Sequence, residues 1–253
     1  MPKHTVITFV ALIALVACGG PRDETAAPLG DDPSAVNQAL PVTPPGAPGS
    51  VASEDSLTQL AQADSSGFEL GTHYGRLTPT QPTSSGPDQI EVTEVFWYGC
   101  PHCYAFEPYL EAWQPNAADY VSFVRVPAVW NPTLRLHAQA FYTAEALGRG
   151  AELHAPIFQE IHVNGNLLDT EAKLAEFFGH FGVSREEFEN AFNSFTVSTK
   201  LQRADELNRR YRISSVPSIV VNGKYTTNAT MAGGYDRLIE LIDELAAREY
   251  TDN

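Results

Sequence analysis

The chain has 253 residues, of which 43% are hydrophobic and 19% are charged, so it can bury a substantial core in one or two domains. Asp and Glu number 31 against 16 Lys and Arg, which gives a formal net charge of -15. An acidic chain without a basic cluster is repelled by phosphate backbones, so nucleic acid is excluded as an expected partner.

The first 17 residues have the pattern of a signal segment. Lys3 supplies a positive start, and residues 5–17 form an apolar run shorter than the ~20 residues that a membrane-spanning helix needs. The run ends in Leu15-Val16-Ala17-Cys18, which resembles the lipobox of bacterial lipoproteins. We expect residues 1–17 to be removed and Cys18 to carry lipid that anchors the protein to a membrane. The alternative is an ordinary secretory signal with a coincidental cysteine.

Residues 18–67 are rich in Pro, Gly, Ala, Ser and Asp and show neither a helix nor a strand period. This composition is typical of a flexible, disordered tether, and a coil of this length spans on the order of 40 Å. We therefore expect a tether between the lipidated cysteine and a folded domain. An interaction segment that becomes ordered on a partner is the alternative.

A strand is predicted over residues 90–98, because this run is rich in β-branched and aromatic residues. Pro101 suits the first turn of a helix, and apolar residues follow at helical spacing. Cys100 is therefore placed at a strand-to-helix junction, with Cys103 in the first turn. Pro108 is expected to interrupt and kink this helix.

A second strand is predicted over residues 120–126, and a helical period then extends from residue 132 to residue 213. The strand pattern returns beyond it, with Asn222-Gly223 as a hairpin turn, and an amphipathic helix follows. This order predicts an α/β protein with a thioredoxin-like domain, residues 68–131 and 214–253. An all-helical domain, residues 132–213, interrupts it.

The cysteines limit the chemistry of the chain. With Cys18 assigned to the anchor, Cys100 and Cys103 remain, and a bridge between them closes too small a loop to restrain much chain entropy. Its purpose is therefore chemical. Unpaired N–H groups and the macrodipole at the helix start lower the pKa of a Cys100 thiol. His102 can stabilise the thiolate further, through a hydrogen bond or its charge.

Two other interpretations of the cysteine pair compete with redox chemistry. A structural zinc site needs four ligands, and neither a second cysteine pair nor a suitably spaced histidine accompanies this one. An inert structural disulfide conflicts with the small loop. We expect no metal and no cofactor.

The segment Trp97-Tyr98-Gly99-Cys100-Pro101-His102-Cys103-Tyr104-Ala105-Phe106-Glu107-Pro108 is similar to the active-site segment of the DsbA family of periplasmic disulfide oxidases. The similarity extends through Asn222-Gly223-Lys224-Tyr225 to the last helix. It implies that Cys100 is the exposed attacking sulfur and Cys103 its buried partner, with Pro101 and His102 completing the catalytic loop.

The resemblance also assigns a substrate-binding role to two residues near the hairpin. Pro217 would be a cis proline that faces the disulfide, and Val216 would offer backbone groups to an extended substrate. An ordinary trans proline at the start of an edge strand is the alternative.

Two carboxyl groups are candidates for proton transfer or thiol tuning. Glu94 alternates with apolar residues of its strand, so we expect it near Cys103, buried and with a raised pKa. A half-exposed strand residue is the alternative. Glu107 lies one helical turn beyond Cys103 and is placed to pair with Arg125, although a solvated ion pair explains these two residues equally well.

The sequence therefore predicts a monomeric thiol:disulfide oxidoreductase of the periplasm that introduces disulfide bonds into reduced exported proteins. Cys18 would hold it at a membrane, and the resemblance implies reoxidation by a quinone-linked membrane oxidase of the DsbB type. An isomerase or reductase of the same fold is one alternative. A lipid-tethered chaperone or binding module is another.

Overall fold

The computed structural model of the protein describes residues 67–252. The predicted signal segment, Cys18 and all but the last residue of the predicted tether lie outside the described residues. Within residues 67–252, no helix is both long enough and apolar enough to cross a membrane.

A five-stranded mixed sheet lies at the centre of the described part. In spatial order its strands are β1 (Gly75–Arg76), β5 (Tyr225–Thr227), β4 (Ser218–Val221), β2 (Ile90–Phe96) and β3 (Val121–Pro127). Strand β2 pairs in parallel with β3 and antiparallel with β4, and all seven of its residues are buried. A strand covered on both faces favours apolar and β-branched residues, which explains the composition that predicted a strand here.

Helix α1 (Pro101–Trp113) follows β2 closely and packs against the last helix, which we label α8 (Tyr235–Asp252). Apolar residues of both helices form one core with β2 and β4; they include Phe106, Leu110, Trp113, Leu238, Ile242 and Leu245. Trp113 Nε1 also donates a hydrogen bond to Asp243 at 2.7 Å. The start of α1, and with it the cysteine pair, is thus held by the sheet and by α8.

Five helices lie between β3 and β4, as the helical period predicted. They are α2 (Pro132–Ala146), α3 (Gly150–His162), α4 (Glu171–His180), α5 (Arg185–Phe192) and α6 (Phe195–Arg210). Ser184 and Glu187 form a capping box at the start of α5. A second core joins these helices to Phe96 and Tyr98 at the end of β2. A short helix, α7 (Ala229–Ala232), precedes α8.

Two local predictions differ from the structure. Strand β2 ends at Phe96 and not at residue 98, because the chain turns there and the Cys100 N–H bonds to the Trp97 carbonyl at 3.0 Å. The interruption of α1 at Pro108 is wrong, since the helix continues to Trp113. Proline removes one backbone hydrogen bond, whereas tertiary packing of the apolar face stabilises the whole helix.

The predicted hairpin joins β4 to β5 through Asn222 and Gly223, which have φ angles of 49° and 60°. Positive φ at both positions is the requirement of the tight turns that match the twist of paired strands. The Gly223 carbonyl accepts a hydrogen bond from the Gln81 N–H at 2.8 Å. A Cβ at position 223 would collide with the Gln81 carbonyl.

We expect Gly223→Ala to lower the free energy of unfolding by roughly 2–4 kcal/mol, because left-handed strain and steric overlap add. Gly148→Ala is the matched control: Gly148 has a φ of 70°, but beyond its chain neighbours no atom lies within 4 Å of the point that a Cβ would occupy. The control should lose about 1 kcal/mol. Urea unfolding of both variants measures the difference, and equal losses would contradict the assigned contact.

Candidate active site

Cys100 lies where β2 gives way to α1. It is the N-cap of α1, with extended backbone angles (φ -88°, ψ 116°), and its carbonyl accepts a hydrogen bond from the Tyr104 N–H at 3.1 Å. Pro101 occupies the first helical turn. The predicted strand-to-helix junction is therefore confirmed, and the unpaired N–H groups of the first turn surround the sulfur.

The two cysteines are free thiols in very different environments. The pKa of Cys100 is lowered to about 6, chiefly by a hydrogen bond from the Cys103 side chain and further by the backbone N–H groups of Cys103 and His102. Burial raises the pKa of Cys103 far above its ordinary range, and the hydrogen bond to Cys100 and the charge of Glu94 add to this effect. At neutral pH, Cys100 carries the negative charge and Cys103 keeps the proton.

The accessibility of the pair differs from the expectation. Cys103 is fully buried, as implied, but Cys100 keeps only 7% of its surface exposed. The resemblance implied an exposed Cys100 sulfur, but Cys100 is much less exposed than expected, because a neighbouring loop covers much of the sulfur. Sγ of Cys100 lies 3.5 Å from the backbone carbonyl oxygen of Val216.

His102 is exposed, and its backbone N–H affects Cys100 more than its charge does. Both effects lower the pKa of Cys100, in the direction expected. The backbone carbonyl of His102 accepts a hydrogen bond from the Tyr235 hydroxyl at 3.0 Å. Helix α8 therefore holds the catalytic loop directly, a contact that the sequence did not reveal.

The peptide bond between Val216 and Pro217 is cis, as the family resemblance implied. Both residues line a groove of about 450 Å³ beside the cysteine loop. The other residues that line it are His102, Ser215, Asn228, Ala229, Thr230, Met231 and Tyr235. An extended segment of another protein that lay in this groove would reach both the Cys100 sulfur and the Val216 backbone.

Two buried carboxyl groups and one partly buried guanidinium lie close to the cysteines. Arg125 Nε is 3.1 Å from Glu94 Oε2, and Arg125 Nη2 is 2.8 Å from Glu107 Oε2. Burial, with the charge of Glu107 next, raises the pKa of Glu94 to about 8. The pair formed by Glu107 and Arg125 is thus largely buried, and Glu94 is a carboxyl that can hold a proton near neutral pH.

Three histidines of the inserted helices contact Trp97 and Tyr98, which lie between β2 and the catalytic loop, and the sequence did not reveal this arrangement. Trp97 Nε1 donates to His137 Nδ1 at 3.0 Å. His154 Nδ1 lies 3.0 Å from the Tyr98 hydroxyl, and His162 Nε2 lies 2.8 Å from the Tyr98 carbonyl. A spacing of eight residues puts His154 and His162 on one face of α3, which was the one available signal.

The structure brings together the predicted site residues in its described part. They lie around the junction where β2 ends and α1 begins. They are the cysteine loop, Val216 and Pro217 of the groove, and the carboxyl groups of Glu94 and Glu107. The remaining candidate, Cys18, lies outside the described residues. The arrangement can hold a thiolate on one sulfur, a proton beside the other, and an extended peptide across both.

Comparison with known proteins points to one family. A model of the DSBA-like thioredoxin domain matches residues 122–246. The thiol:disulfide interchange protein DsbA of Azotobacter vinelandii is 40% identical over 192 residues, which cover 76% of this chain and 89% of that protein. DsbA of Pseudomonas aeruginosa is 39% identical over 189 residues, covering 75% of this chain and 88% of the relative.

Solved structures agree with the sequence relatives. The crystal structure of Pseudomonas aeruginosa DsbA superposes with a TM-score of 0.70 at 37% identity, covering 73% of this chain and 96% of that one. DsbA from Xylella fastidiosa gives a TM-score of 0.66 at 31% identity, covering 71% and 96%. The fold is therefore the thioredoxin-like fold with a helical insertion, and the chain belongs to the DsbA family of thiol:disulfide oxidoreductases.

Proposed function

We propose that this oxidoreductase introduces disulfide bonds into exported proteins through Cys100 and Cys103. The observation that carries the proposal is the asymmetry of the pair, in which one pKa is lowered to about 6 and the other is raised. Stabilising the thiolate of the reduced form makes the disulfide form a stronger oxidant. An isomerase or reductase would need a different redox poise on the same fold.

In the first step, a substrate thiolate attacks the Cys100 sulfur of the oxidised pair. A bond forms between the two proteins, the bond between Cys100 and Cys103 breaks, and its electron pair stays on the Cys103 sulfur. That sulfur then takes a proton, because it lies in surroundings that disfavour a charge.

In the second step, the other substrate thiol loses its proton and attacks the substrate sulfur of the mixed disulfide. The substrate disulfide forms, and Cys100 leaves as a thiolate. The substrate has lost two electrons and the enzyme has gained them as a dithiol pair. A leaving thiol of low pKa departs faster, so the environment of Cys100 favours release of the product.

Glu94 is our candidate for the group that exchanges a proton with Cys103. Its carboxyl is fully buried, its pKa is near 8, and its charge acts on Cys103. A group that titrates near the working pH can both give and take a proton. Glu107 tunes this group through its own charge and through the shared Arg125.

Val216 and Pro217 are our candidates for substrate binding. The carbonyl of Val216 faces the Cys100 sulfur, and both residues line the adjoining groove. Backbone groups that line a groove can hydrogen-bond to an extended peptide of almost any sequence. This suits an enzyme whose substrates are many reduced proteins.

The family relationship supports reduced proteins as substrates and reoxidation by a membrane oxidase of the DsbB type. We further propose a periplasmic location and a monomer tethered to a membrane by lipidated Cys18. This finer proposal rests on the lipobox pattern and the composition of residues 18–67. The division into residues 68–131 with 214–253 and residues 132–213 stays a prediction.

The redox potential of the cysteine pair tests the oxidase function. We expect a potential well above that of thioredoxin, about -270 mV, when the protein is equilibrated with glutathione. The oxidised protein should also generate disulfides in a reduced, unfolded substrate. A potential as reducing as that of thioredoxin would instead support a reductase.

The same assay tests the assignment of the two sulfurs. Cys100→Ser should abolish substrate oxidation and leave only the buried Cys103, which should resist alkylation at neutral pH. Cys103→Ser is the matched variant: it also lacks the disulfide but keeps the reactive thiol, so it should be alkylated rapidly. Oxidation by Cys100→Ser would overturn the assignment.

The thiolate absorbance of the reduced protein should titrate with a midpoint near pH 6. Cys103→Ala should raise this midpoint more than His102→Ala, because Cys103 gives the main hydrogen bond, whereas the His102 substitution removes a charge and keeps the backbone N–H. The reverse order of the two shifts would contradict the contributions assigned to them.

Mass spectrometry of the mature protein, expressed in a bacterium that processes lipoproteins, tests the anchor. We expect the chain to begin at Cys18 with acyl chains attached, and Cys18→Ser to release the protein from membranes. An unmodified amino terminus would support the ordinary secretory signal.

A further inference from the structure

His154 lies in α3 and connects the inserted helices to the buried carboxyl groups. Its Nε2 is 3.2 Å from Glu107 Oε1, on the side of the carboxylate opposite Arg125. Both atoms are buried, and neither has a partner in good hydrogen-bond geometry among the described residues, so the 3.2 Å contact between them is close but not well aligned. Each atom is therefore the available polar neighbour of the other.

The surroundings of His154 select one tautomer. Burial is the main cause that lowers the pKa of His154, so the ring is neutral at neutral pH and carries a single N–H. Burial also raises the pKa of Tyr98 well above its ordinary value, so the Tyr98 hydroxyl keeps its proton and can donate to Nδ1. The Tyr98 hydroxyl fits either tautomer, but a ring with its proton on Nδ1 would turn the Nε2 lone pair toward Glu107 Oε1, 3.2 Å away. The neighbouring carboxylate therefore favours the tautomer with the proton on Nε2.

The charges in this cluster do not balance. Glu94 and Glu107 share one guanidinium, that of Arg125, and a second buried carboxylate would be left without a cation. Among the described residues, the Cys100 thiolate also acts on Glu94, Glu111 acts on His154, and Glu145 acts on Tyr98. All three are negative when ionised, so one of the two carboxyl groups must hold a proton near neutral pH.

The donors decide which carboxyl is protonated. Glu107 faces two of them, Arg125 Nη2 at 2.8 Å and His154 Nε2 at 3.2 Å. Glu94 has the longer contact to Arg125 Nε at 3.1 Å and no second ion-pair contact among the described residues. The Oε1 atoms of both carboxyl groups are buried without an aligned hydrogen bond, but that of Glu107 has His154 Nε2 beside it. Hydrogen bonds to an ionised carboxylate favour its charged form, so the charge belongs on Glu107.

We propose that His154 is a positioning residue of this site: its Nε2–H holds the negative charge on Glu107 and so leaves Glu94 as the carboxyl that carries the exchangeable proton. The inference deepens the proposed function, because it names the residue of the inserted helices that assigns the proton to the carboxyl beside Cys103. His154 acts through Glu107 and contacts neither sulfur.

The test measures the titration midpoint of the Glu94 carboxyl by NMR, in the full-length reduced protein with labelled glutamate side chains. The Glu94 signal is assigned by its loss in Glu94→Gln. His154→Phe keeps an aromatic ring among Phe96, Phe141 and Phe158 but removes the donor. We expect it to lower the Glu94 midpoint by about one pH unit, a tenfold change in proton affinity, because the proton is then shared with Glu107.

Two variants separate the hydrogen bond from packing. His154→Gln places an amide N–H where Nε2 stood and should restore the Glu94 midpoint, and it also serves if His154→Phe does not fold. Tyr98→Phe removes the partner of Nδ1 and leaves the donor to Glu107, so it should leave the midpoint close to that of the wild type.

An unchanged Glu94 midpoint in His154→Phe would overturn the proposal. So would a shift in Tyr98→Phe as large as that in His154→Phe, or a His154→Gln variant that does not recover the midpoint. Disulfide formation in a reduced substrate is measured separately on the wild-type protein. Failure of that assay would overturn the proposed function, whereas the titration judges His154 independently.

Discussion

The hydrogen bond from the Cys103 thiol to the Cys100 sulfur is the interaction on which the site depends. It lowers one pKa and raises the other, so a pair of like residues becomes a charged nucleophile and a protonated partner. The fold enforces this difference by placing Cys100 at the N-cap of α1 and Cys103 one turn inside, against β2. Backbone N–H groups stabilise the first sulfur, and burial keeps the second one neutral.

The inserted helices contribute side chains that hold the site in place. Residues 96–98 leave the sheet and enter the core of the inserted helices, where His137, His154 and His162 bind Trp97 and Tyr98. On the opposite side, Tyr235 of α8 holds the loop through the His102 carbonyl. The loop is therefore fixed from both sides, which keeps the sulfur and its donors in one geometry.

Local patterns predicted much of this arrangement. Strand alternation placed Glu94 on the face of β2 that carries Val92 and Phe96, and the junction before Pro101 placed Cys100 at a helix start. The structure has Glu94 buried and Cys100 at the N-cap, although both faces of β2 are covered, so alternation did not by itself decide the burial of Glu94. The contact between His154 and Tyr98 spans 56 residues, and no periodicity encodes a contact between a helix face and a strand end. For the same reason, periodicity did not predict that Val216 covers Cys100, since this contact depends on how distant segments pack.

Burying two carboxyl groups costs free energy, which indicates that the pair serves the chemistry of the site and not the stability of the fold. An apolar replacement of a buried ionic cluster is often neutral or stabilising, so such a cluster is poor evidence of a stability role. The raised pKa of Glu94 means that its contribution to stability is present below its ordinary value of 4.5 and is lost as pH rises through about 8. The lowered pKa of Cys100 has the opposite sign: its contribution is present above 9.0 and is lost as pH falls through about 6. Forming the disulfide removes the Cys100 contribution. Above about pH 6 the lowered pKa of Cys100 therefore stabilises the reduced state relative to the oxidised one, and the shift that supplies a thiolate also favours reduction of the pair.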